Sequence, residues 1–330
     1  MTKLIIDAAK LQANYQIIKA GSAVSVIPDL SFNAYGAGDL EIAKRLSDAP
    51  IFKVNRLAEA LRVRLSASTS EILVCAPYTA KAELEILINY DITASLVSPE
   101  CVMKLNTAAL ALDKTARAHI KFDIGAGFTG FAMRDIEAAI SALKSSTNIS
   151  LTGIYADVPA NCDRKQASLF HDKFTKILKY FDEARVPYKL AHLTNSLQSQ
   201  IFPFLKFGAV YADSALLGVN SCPQGGFEGV CKLQSNICDI RWIKAGASVT
   251  GDLIRMKHDT YVAAAPVGLA DGVLTKSTVC TIGSSPAQII SVGENTTLID
   301  ITGINCALGD KVLFDVDPMI TDSLVLREYV

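Results

Sequence analysis

The sequence has no excess of charge of either sign. Its 32 basic and 33 acidic residues give a formal net charge of −1, and no basic block or acidic tail is present. A surface that binds nucleic acid or an anionic membrane depends on such an excess, so we expect neither kind of partner. The chain also lacks an apolar run of about 18 residues and a signal-peptide pattern at its start. We therefore expect a cytoplasmic protein.

Metal-binding cysteine patterns are also missing. The 8 cysteines form no CxxC pair and no other spacing typical of zinc ligands. Scattered cysteines in a chain of 330 residues are typical of small buried side chains in a reducing compartment. We therefore expect no metal site.

The first two thirds of the chain alternate between short apolar runs and longer amphipathic stretches. The runs that we predict as buried strands are 24–28, 51–54, 72–75, 94–97, 119–123, 151–155 and 189–193. The predicted helices include 39–47, 56–65, 80–88, 133–144 and 164–183. Such alternation favours a parallel sheet covered by helices. About eight units in about 210 residues fit a (β/α)8 barrel.

The pattern changes after Gly218. A connector rich in glycine and proline, VNSCPQGGFEG, is followed by short β-rich segments with almost no helical periodicity. These segments are 232–242, 259–264, 279–282, 289–291, 297–301 and 311–315. We predict a barrel domain over 1–221 and an all-β domain over 222–330, which the first residues of the chain could join.

Several segments, in one order along the chain, resemble alanine racemase. They are LIIDAAKLQANYQIIK near the start, NAYGAG (33–38), KFDIGAGFTGF (121–131), HLTNS (192–196), and then WIKAGASV, APVGLADGV, LIDITG, GDKVLF and the final LREYV. The resemblance covers essentially the whole length. It implies a (β/α)8 barrel with a C-terminal β domain, pyridoxal phosphate (PLP) as the cofactor and a head-to-tail homodimer.

The same resemblance places other residues where the family has its reactive groups. The lysine that holds PLP falls at Ser31, and a serine cannot form the Schiff base. The arginine that faces the pyridine nitrogen falls at Tyr211, the Thr-His pair at 156–157, and the arginine of the D-T-G-M-x-R motif at Phe128. The second base, a tyrosine, falls in the turn 249–252, which contains none. We expect no bound PLP and a catalytically degenerate homologue.

Some positions that match the family's cofactor contacts are kept. Tyr35, Ser196 and Tyr329 match residues that contact the PLP phosphate, so a small anionic ligand is one expectation. Asp213 falls where the family uses backbone amides to cradle that phosphate, and a carboxylate there repels a dianion. Among the lysines, Lys53 and Lys121 are candidate substitutes for the Schiff-base lysine.

Acidic side chains mark the predicted rim of the barrel. Asp29 precedes Ser31 by two positions and therefore shares its strand face. Asp29, Asp123, Asp157 and Asp213 are predicted near the C-terminal ends of strands, where barrel enzymes place their chemistry. They could bind a cation through oxygen ligands or cap the following helices. The candidate ligand pocket comprises Ser31, Tyr35, Asp123, Asp157, His192, Asn195, Ser196, Tyr211, Asp213 and Tyr329.

Three functions remain open at this point. A degenerate homologue that binds a small molecule or a protein partner predicts no PLP and no turnover. An active PLP-dependent alanine racemase that uses another lysine predicts a yellow protein with a reducible Schiff base. A cofactor-independent enzyme that uses the acidic rim predicts a metal or a perturbed carboxylate pair in the barrel mouth.

Overall fold

The chain folds into two units. The structure is a computed structural model that describes residues 1–66, 69–127, 129–159, 161–218, 226–249, 254–274, 277–321 and 323–330. The barrel unit comprises Gln12–Ala34 and Asp39–Phe227, and the β unit comprises Met1–Leu11, Tyr35–Gly38 and Glu228–Val330. The domain boundary predicted between residues 221 and 222 lies outside the described residues.

Nine helices and twenty strands are assigned within the described residues. The helices are α1 (Ala8–Ser22), α2 (Ser31–Tyr35), α3 (Asp39–Arg45), α4 (Leu57–Arg64), α5 (Lys81–Asn89), α6 (Pro99–Ala111), α7 (Ile136–Lys144), α8 (Arg164–Glu183) and α9 (Ser196–Ile201). The strands are β1 (Lys3–Ile6), β2 (Ser25–Pro28), β3 (Ile51–Val54), β4 (Glu71–Val74), β5 (Ala94–Leu96), β6 (Ala116–Asp123), β7 (Phe131–Ala132), β8 (Ile149–Ala156), β9 (Leu190–Asn195), β10 (Ala209–Ala212), β11 (Cys231–Asn236), β12 (Asp239–Ile243), β13 (Ser248–Val249), β14 (Ile254–Arg255), β15 (Thr260–Ala265), β16 (Val279–Ile282), β17 (Ser285–Val292), β18 (Thr297–Asp300), β19 (Lys311–Asp315) and β20 (Leu326–Tyr329).

Eight parallel strands close the barrel. One run of neighbours is β2-β10-β9-β8-β6-β5, and β3 pairs with β4. Two parallel bridges join these parts into a ring: Asp29 to Lys53 connects β2 with β3, and Leu73 to Thr93 connects β4 with β5. The predicted (β/α)8 barrel is confirmed. The carboxyl ends of all eight strands therefore meet at one mouth.

Local sequence explains where the helices begin. Asp163 accepts a hydrogen bond from the backbone of Gln166 at 2.8 Å, and the Gln166 side chain accepts one from the Asp163 backbone at 2.9 Å. This capping box starts α8. Buried residues then recur three or four positions apart, which turns one face of α8 towards the core; they are Ala167, Phe170, Phe174, Ile177 and Phe181. The predicted bounds 164–183 agree with this helix.

The turn directly after β2 is left-handed. Phe32, Asn33 and Ala34 have φ angles of 57°, 58° and 51°. For residues with a Cβ this conformation costs about 1–2 kcal/mol each. Buried Glu59 offsets part of that cost, because its carboxylate accepts hydrogen bonds from the backbone N–H groups of Phe32, at 2.9 Å, and Asn55, at 3.0 Å. The segment that positions Ser31 is thus held by α4.

The β unit is built on one nine-stranded sheet. Its order is β12-β15-β18-β17-β16-β19-β11-β1-β20, with all neighbours antiparallel except β1 and β20. The alternation in the sequence puts the apolar side chains on one face, and Leu4, Leu233, Ile299 and Phe314 are fully buried. The predicted all-β character of the C-terminal part is confirmed.

Two strand predictions differ from the structure. The segment 232–242 was expected as one strand, but it forms β11 and β12, with Ile237 buried at the break between them. The eighth barrel strand, β10, was not among the predicted runs. Its apolar residues do not stand out from the phenylalanine-rich segment that precedes them. Within the described residues, no helix has the length and apolarity needed to cross a membrane.

Candidate active-site cluster in the barrel mouth

Ser31 lies in a hydrogen-bonded cluster at the end of β2. Asp29 Oδ1 accepts hydrogen bonds from the Ser31 hydroxyl at 2.6 Å and from the Ser31 backbone N–H at 3.0 Å. The other carboxylate oxygen, Asp29 Oδ2, lies 2.8 Å from Lys53 Nζ. Both Asp29 and Ser31 are 4% exposed. The position after β2 therefore holds a serine hydroxyl that is already bound to its own neighbour.

Lys53 carries a protonated amine at the end of β3. Burial lowers the pKa of Lys53, but the nearby carboxylates of Asp29 and Asp157, with the hydrogen bond to Asp29, outweigh that effect and hold it well above its ordinary value. The ammonium also lies over the Tyr211 ring, 4.4 Å from its centroid, in a cation–π contact. Both interactions favour the charged form.

A second ion pair lies across the mouth. Lys121 Nζ, in β6, is 2.6 Å from Asp157 Oδ2, which directly follows β8. The Lys121 side chain is 7% exposed and that of Asp157 is 27% exposed. Taken with the Asp29–Lys53 pair, the mouth therefore holds two ammonium groups and two carboxylates in partnered form.

A row of ionisable side chains crosses the barrel below these pairs. We call it the interior chain; its members are Glu71, His119, His192 and Tyr211. His192 Nδ1 is hydrogen-bonded to the Tyr211 hydroxyl, and His192 Nε2 lies 2.9 Å from His119 Nδ1. His119 Nε2 lies 3.4 Å from Glu71 Oε1. Barrel interiors are usually filled by branched apolar residues, so this row is unusual.

Burial and neighbouring groups determine the protonation states of His192 and Glu71, two members of the interior chain. Burial, followed by His119 and Lys53, holds the pKa of His192 well below its ordinary value, so His192 is neutral. Burial raises the pKa of Glu71, but His119 and the hydroxyls of Thr152 and Thr93 outweigh it and lower that pKa to about 2. Glu71 is therefore a carboxylate.

A glycine makes room for the interior chain. His119 in β6 pairs with Gly153 in β8, the strand that separates it from His192 in β9. A Cβ on Gly153 would lie 2.5 Å from His119 Cε1. The imidazole of His119 therefore reaches across β8 only because position 153 has no side chain.

Tyr155 and Cys75 are two further polar residues near these groups. The Tyr155 ring stacks on His192 with centroids 5.0 Å apart, and its hydroxyl is 2.6 Å from Ser95 Oγ. Burial raises the pKa of the Cys75 thiol to about 11, with Asp157 adding to the rise and Lys53 opposing it. The thiol is therefore protonated and not a nucleophile at neutral pH.

The HLTNS segment gives one residue to the interior chain and two to the start of α9. Asn195 caps the helix, because its side-chain oxygen accepts a hydrogen bond from the Gln198 backbone at 2.8 Å. Ser196 is 2% exposed, and within the described residues its hydroxyl is the buried side-chain group with no hydrogen-bond partner. Such an atom is a candidate contact for a ligand.

Two predicted rim carboxylates accept hydrogen bonds from backbone N–H groups of the residues that follow them. Asp123 Oδ1 accepts hydrogen bonds from the N–H groups of Gly125, Ala126 and Gly127 at 2.9, 3.1 and 3.2 Å. Asp213 accepts one from Ala215 at 3.3 Å and caps the short 3-10 helix Ser214–Leu217. Burial raises the pKa of Asp213, and Asp29 adds to the rise. Both residues thus organise loops at the barrel mouth.

The two tyrosines expected near a ligand phosphate belong to the β unit. The Tyr329 hydroxyl donates to the carbonyl oxygens of Ala37 at 2.9 Å and Gly38 at 3.3 Å. Tyr35 has a left-handed φ of 53°. Ser196, by contrast, lies in the barrel unit. The other expected positions at Phe128 and in the turn 250–252 lie outside the described residues.

The cluster therefore brings together Ser31, Asp29, Lys53, Lys121, Asp157, His192 and Tyr211, all of which the sequence singled out. Sequence reasoning missed Glu71, His119, Tyr155 and Cys75. One signal was available for His119, because it precedes Lys121 by two positions in a strand and so shares its face. Within the described residues, no group of three or more His, Cys, Asp or Glu side chains is placed to hold a metal ion.

These features define a (β/α)8-barrel protein with a β-rich second unit and a connected ionisable cluster in the barrel. The profile of the family described as alanine racemase, N-terminal domain, matches residues 6–219. The chain therefore belongs to the alanine racemase family. The alanine racemase of Geobacter sp. (strain M21) is 26% identical over 96% of this chain and 89% of its own length. That of Methanococcus maripaludis is 25% identical over 93% and 87%.

Solved structures agree on the fold. The alanine racemase of Clostridium difficile 630 superposes with a TM-score of 0.88 at 22% identity, covering 100% of this chain and 95% of that chain. The enzyme from the D-cycloserine producing Streptomyces lavendulae gives 0.88 at 20% identity, covering 100% and 97%. At this identity the likeness concerns the fold and not the activity.

The residues at the mouth do not fit covalently bound PLP. Position 31 offers a hydroxyl that is bound to Asp29, and the amines of Lys53 and Lys121 are held as ammonium groups by carboxylates at 2.8 and 2.6 Å. An ammonium has no lone pair with which to attack an aldehyde. The unpartnered Ser196 hydroxyl would suit the phosphate end of that molecule.

Proposed function

We propose that this protein binds a small molecule in the barrel mouth without PLP and without racemase activity. The observation that carries the proposal is the pairing of both mouth lysines with carboxylates. A Schiff-base lysine must reach the cofactor with a neutral amine, and the pKa of Lys53 is shifted in the opposite direction. Racemisation through either lysine would therefore need a charge pair to be broken first.

The charge arrangement supports a polar ligand of low net charge. Each ammonium in the mouth already faces a carboxylate, so neither sign of charge is in excess around the Lys53 and Lys121 pairs. A strongly charged ligand would have to displace one partner and desolvate it. The Ser196 hydroxyl, which has no partner within the described residues, offers the ligand one hydrogen bond.

The direct test is an absorption titration with PLP, followed by an assay for conversion of L-alanine to D-alanine. We expect no visible Schiff-base band and no conversion above the rate of a protein-free control. An active alanine racemase in the same buffer validates the assay. A visible band together with conversion would refute the proposal.

A variant sharpens this test. Ser31→Lys restores an amine after β2, but the new amine competes with Lys53 for the Asp29 carboxylate. We expect it to bring no racemisation, since position 211 carries a tyrosine hydrogen-bonded to His192. Conversion by Ser31→Lys would mean that the loss of one residue, not the rebuilt mouth, explains the inactivity.

We also propose that two copies of the chain pair in solution. Trp242 in β12 and Tyr261 in β15 are direct cross-strand neighbours, and they are 53% and 52% exposed. Such paired aromatic rings on one sheet face favour burial against another surface. Light scattering on a sizing column should give twice the mass of 35.4 kDa. Trp242→Glu should lower that mass, whereas Leu308→Glu, also at an exposed position, should not.

A further inference from the structure

The hydrogen-bond direction along the interior chain follows from the charge of its two ends. Glu71 is a carboxylate, which only accepts, so the facing Nε2 of His119 carries a proton. If His119 is neutral, its Nδ1 accepts, and His192 Nε2–H must donate to it across 2.9 Å. Neutral His192 then accepts at Nδ1, so the Tyr211 hydroxyl donates inward. Every donor points from the mouth towards Glu71.

One added proton reverses this order. A doubly protonated His119 donates from both nitrogens, so His192 Nε2 must become an acceptor. His192 then carries its proton on Nδ1 and donates to the Tyr211 oxygen. The Tyr211 O–H group therefore no longer donates to His192, and it can donate towards the mouth instead. Apart from rotation of that hydroxyl, no heavy atom has to move.

We propose that the interior chain stores one proton, which enters at the Tyr211 oxygen and is held as an imidazolium on His119 beside Glu71. The incoming proton forms a new O–H bond at Tyr211, while the proton that the Tyr211 oxygen carried before passes to His192 Nδ1. The proton on His192 Nε2 passes to His119 Nδ1. The chain takes up one proton in total, and no oxidation or reduction occurs.

The surroundings favour His119 over His192 as the storage site. Glu71 faces His119 at 3.4 Å, whereas Lys53 adds positive charge near His192. The titratable groups on or directly after the strands around the two rings include Asp29 after β2, Lys53 of β3, Glu71 of β4 and Cys75 after it, Arg117, Lys121 and Asp123 of β6, Tyr155 of β8 and Asp157 after it, and Tyr211 of β10 with Asp213 after it. Among the carboxylates and ammonium groups of this set, Glu71 is the one within ion-pair distance of a histidine ring, whereas the Tyr211 hydroxyl and the Tyr155 ring that contact His192 are uncharged.

The mouth end of the interior chain is placed to exchange that proton with a bound molecule. Tyr211 is 4% exposed and carries the Lys53 ammonium on its ring. Burial, followed by the negative charge of Asp157, holds the pKa of Tyr211 well above its ordinary value, so its hydroxyl keeps its proton. A weak acid, or its conjugate base, in the mouth would meet a group that accepts or supplies one proton without bulk water.

The test is a pH titration of the histidine ring nitrogens by ¹⁵N NMR on the full chain. The protein has only 4 histidines, so selective labelling gives a spectrum that single substitutions can assign. At high pH we expect both His119 and His192 to carry the proton on Nε2. At low pH we expect His119 to be doubly protonated and His192 to carry its proton on Nδ1, with one shared midpoint.

A charge-removing variant adds an independent readout. Glu71→Gln should lower the shared midpoint by about one pH unit or more, because the imidazolium loses its counter-charge. Glu137→Gln, the same exchange at an exposed position in the first turn of α7, should leave it unchanged. The proposal is overturned if His192 keeps one tautomer while His119 titrates, or if neither ring takes up a proton. The wild-type titration decides this even if Glu71→Gln does not fold.

Discussion

Two sets of polar groups around the barrel mouth differ in whether they already have partners. In the first set, at the ends of β3 and β6 on opposite sides of the ring, the ammonium groups of Lys53 and Lys121 face carboxylates within 2.8 Å. In the second set, at the start of α9, the Ser196 hydroxyl is buried without a partner in the described part of the chain. The charges of the first set are compensated within the protein, whereas the hydroxyl of the second set still has a hydrogen bond to make.

This difference indicates where a bound ligand can stabilise the protein. Groups that are paired inside the protein must be separated before they bind anything else, at the cost of leaving a buried charge. A buried unpaired hydroxyl gains a hydrogen bond at no such cost. The predictions below compare substitutions of groups that have partners with substitutions elsewhere.

The largest effect is expected from Asp29→Ala. The exchange leaves the buried Lys53 ammonium without its counter-charge and the Ser31 hydroxyl without its acceptor, so the free energy of unfolding should fall by about 3–5 kcal/mol. Urea unfolding measures this. Asp48→Ala removes a carboxylate of an exposed pair with Lys19 and should cost less than about 1 kcal/mol. Equal losses would show that the mouth pair is no more than a surface salt bridge.

Low pH should remove the stabilisation that the Glu71 carboxylate of the interior chain gives to the folded protein. The folded pKa of Glu71 is lowered to about 2, below its unfolded value. Its stabilisation is therefore complete above the unfolded pKa and is lost as the pH falls from about 4.5 to about 2, with a total of at most about 3 kcal/mol because solvent screens this partly exposed side chain. Unfolding of wild type and Glu71→Gln between pH 2 and pH 6 should converge at the acid end. A constant difference across that range would contradict the assigned role of Glu71.

A smaller effect is expected from Gly153→Ala. The new Cβ would lie 2.5 Å from the His119 ring and should push it off His192, at a cost of about 1–3 kcal/mol. Gly21→Ala, in α1 with no atom within 4 Å of the new methyl, should instead stabilise by about 0.5–1 kcal/mol. Thermal unfolding compares the two. Stabilisation by Gly153→Ala would mean that the interior chain does not need this space.

The smallest effect is expected from Ser196→Ala. Its hydroxyl makes no hydrogen bond within the described residues, so its removal should leave the unfolding free energy unchanged within about 0.5 kcal/mol. Ser95→Ala is the matched comparison, because it removes the 2.6 Å partner of the Tyr155 hydroxyl and should cost about 1–3 kcal/mol. Equal costs would contradict the contrast between polar groups with partners and the unpartnered Ser196 hydroxyl.

The barrel could be predicted because its strands and helices carry local signals. Seven of the eight strands appeared as apolar runs, and α8 showed both its capping box and its buried stripe. Strand β10, AVYA, is as long as β2, β3 and β4, but it follows a segment rich in phenylalanine, so its apolar residues do not stand out as a separate run. Its place follows from ring closure between β2 and β9, which is a property of the whole sheet.

The site was predicted only in part, for a related reason. Ser31, Lys53, Lys121 and Tyr211 stand beside motifs or at strand ends, where a sequence marks them. Glu71 gave no signal, because its contacts with Thr152 and His119 join strands that are far apart in the sequence. The pairing of each lysine with one particular carboxylate also depends on the closed ring, which the strand list alone does not determine.

The central claim is that neither mouth lysine is available as a neutral amine. The most direct measurement is incubation with PLP, reduction with borohydride, and peptide mapping by mass spectrometry. We predict that peptides containing Lys53 and Lys121 keep their unmodified mass, although exposed lysines react to a low level. Stoichiometric addition of one pyridoxyl phosphate at Lys53 or Lys121 would contradict the account and restore the PLP-dependent racemase as the better explanation.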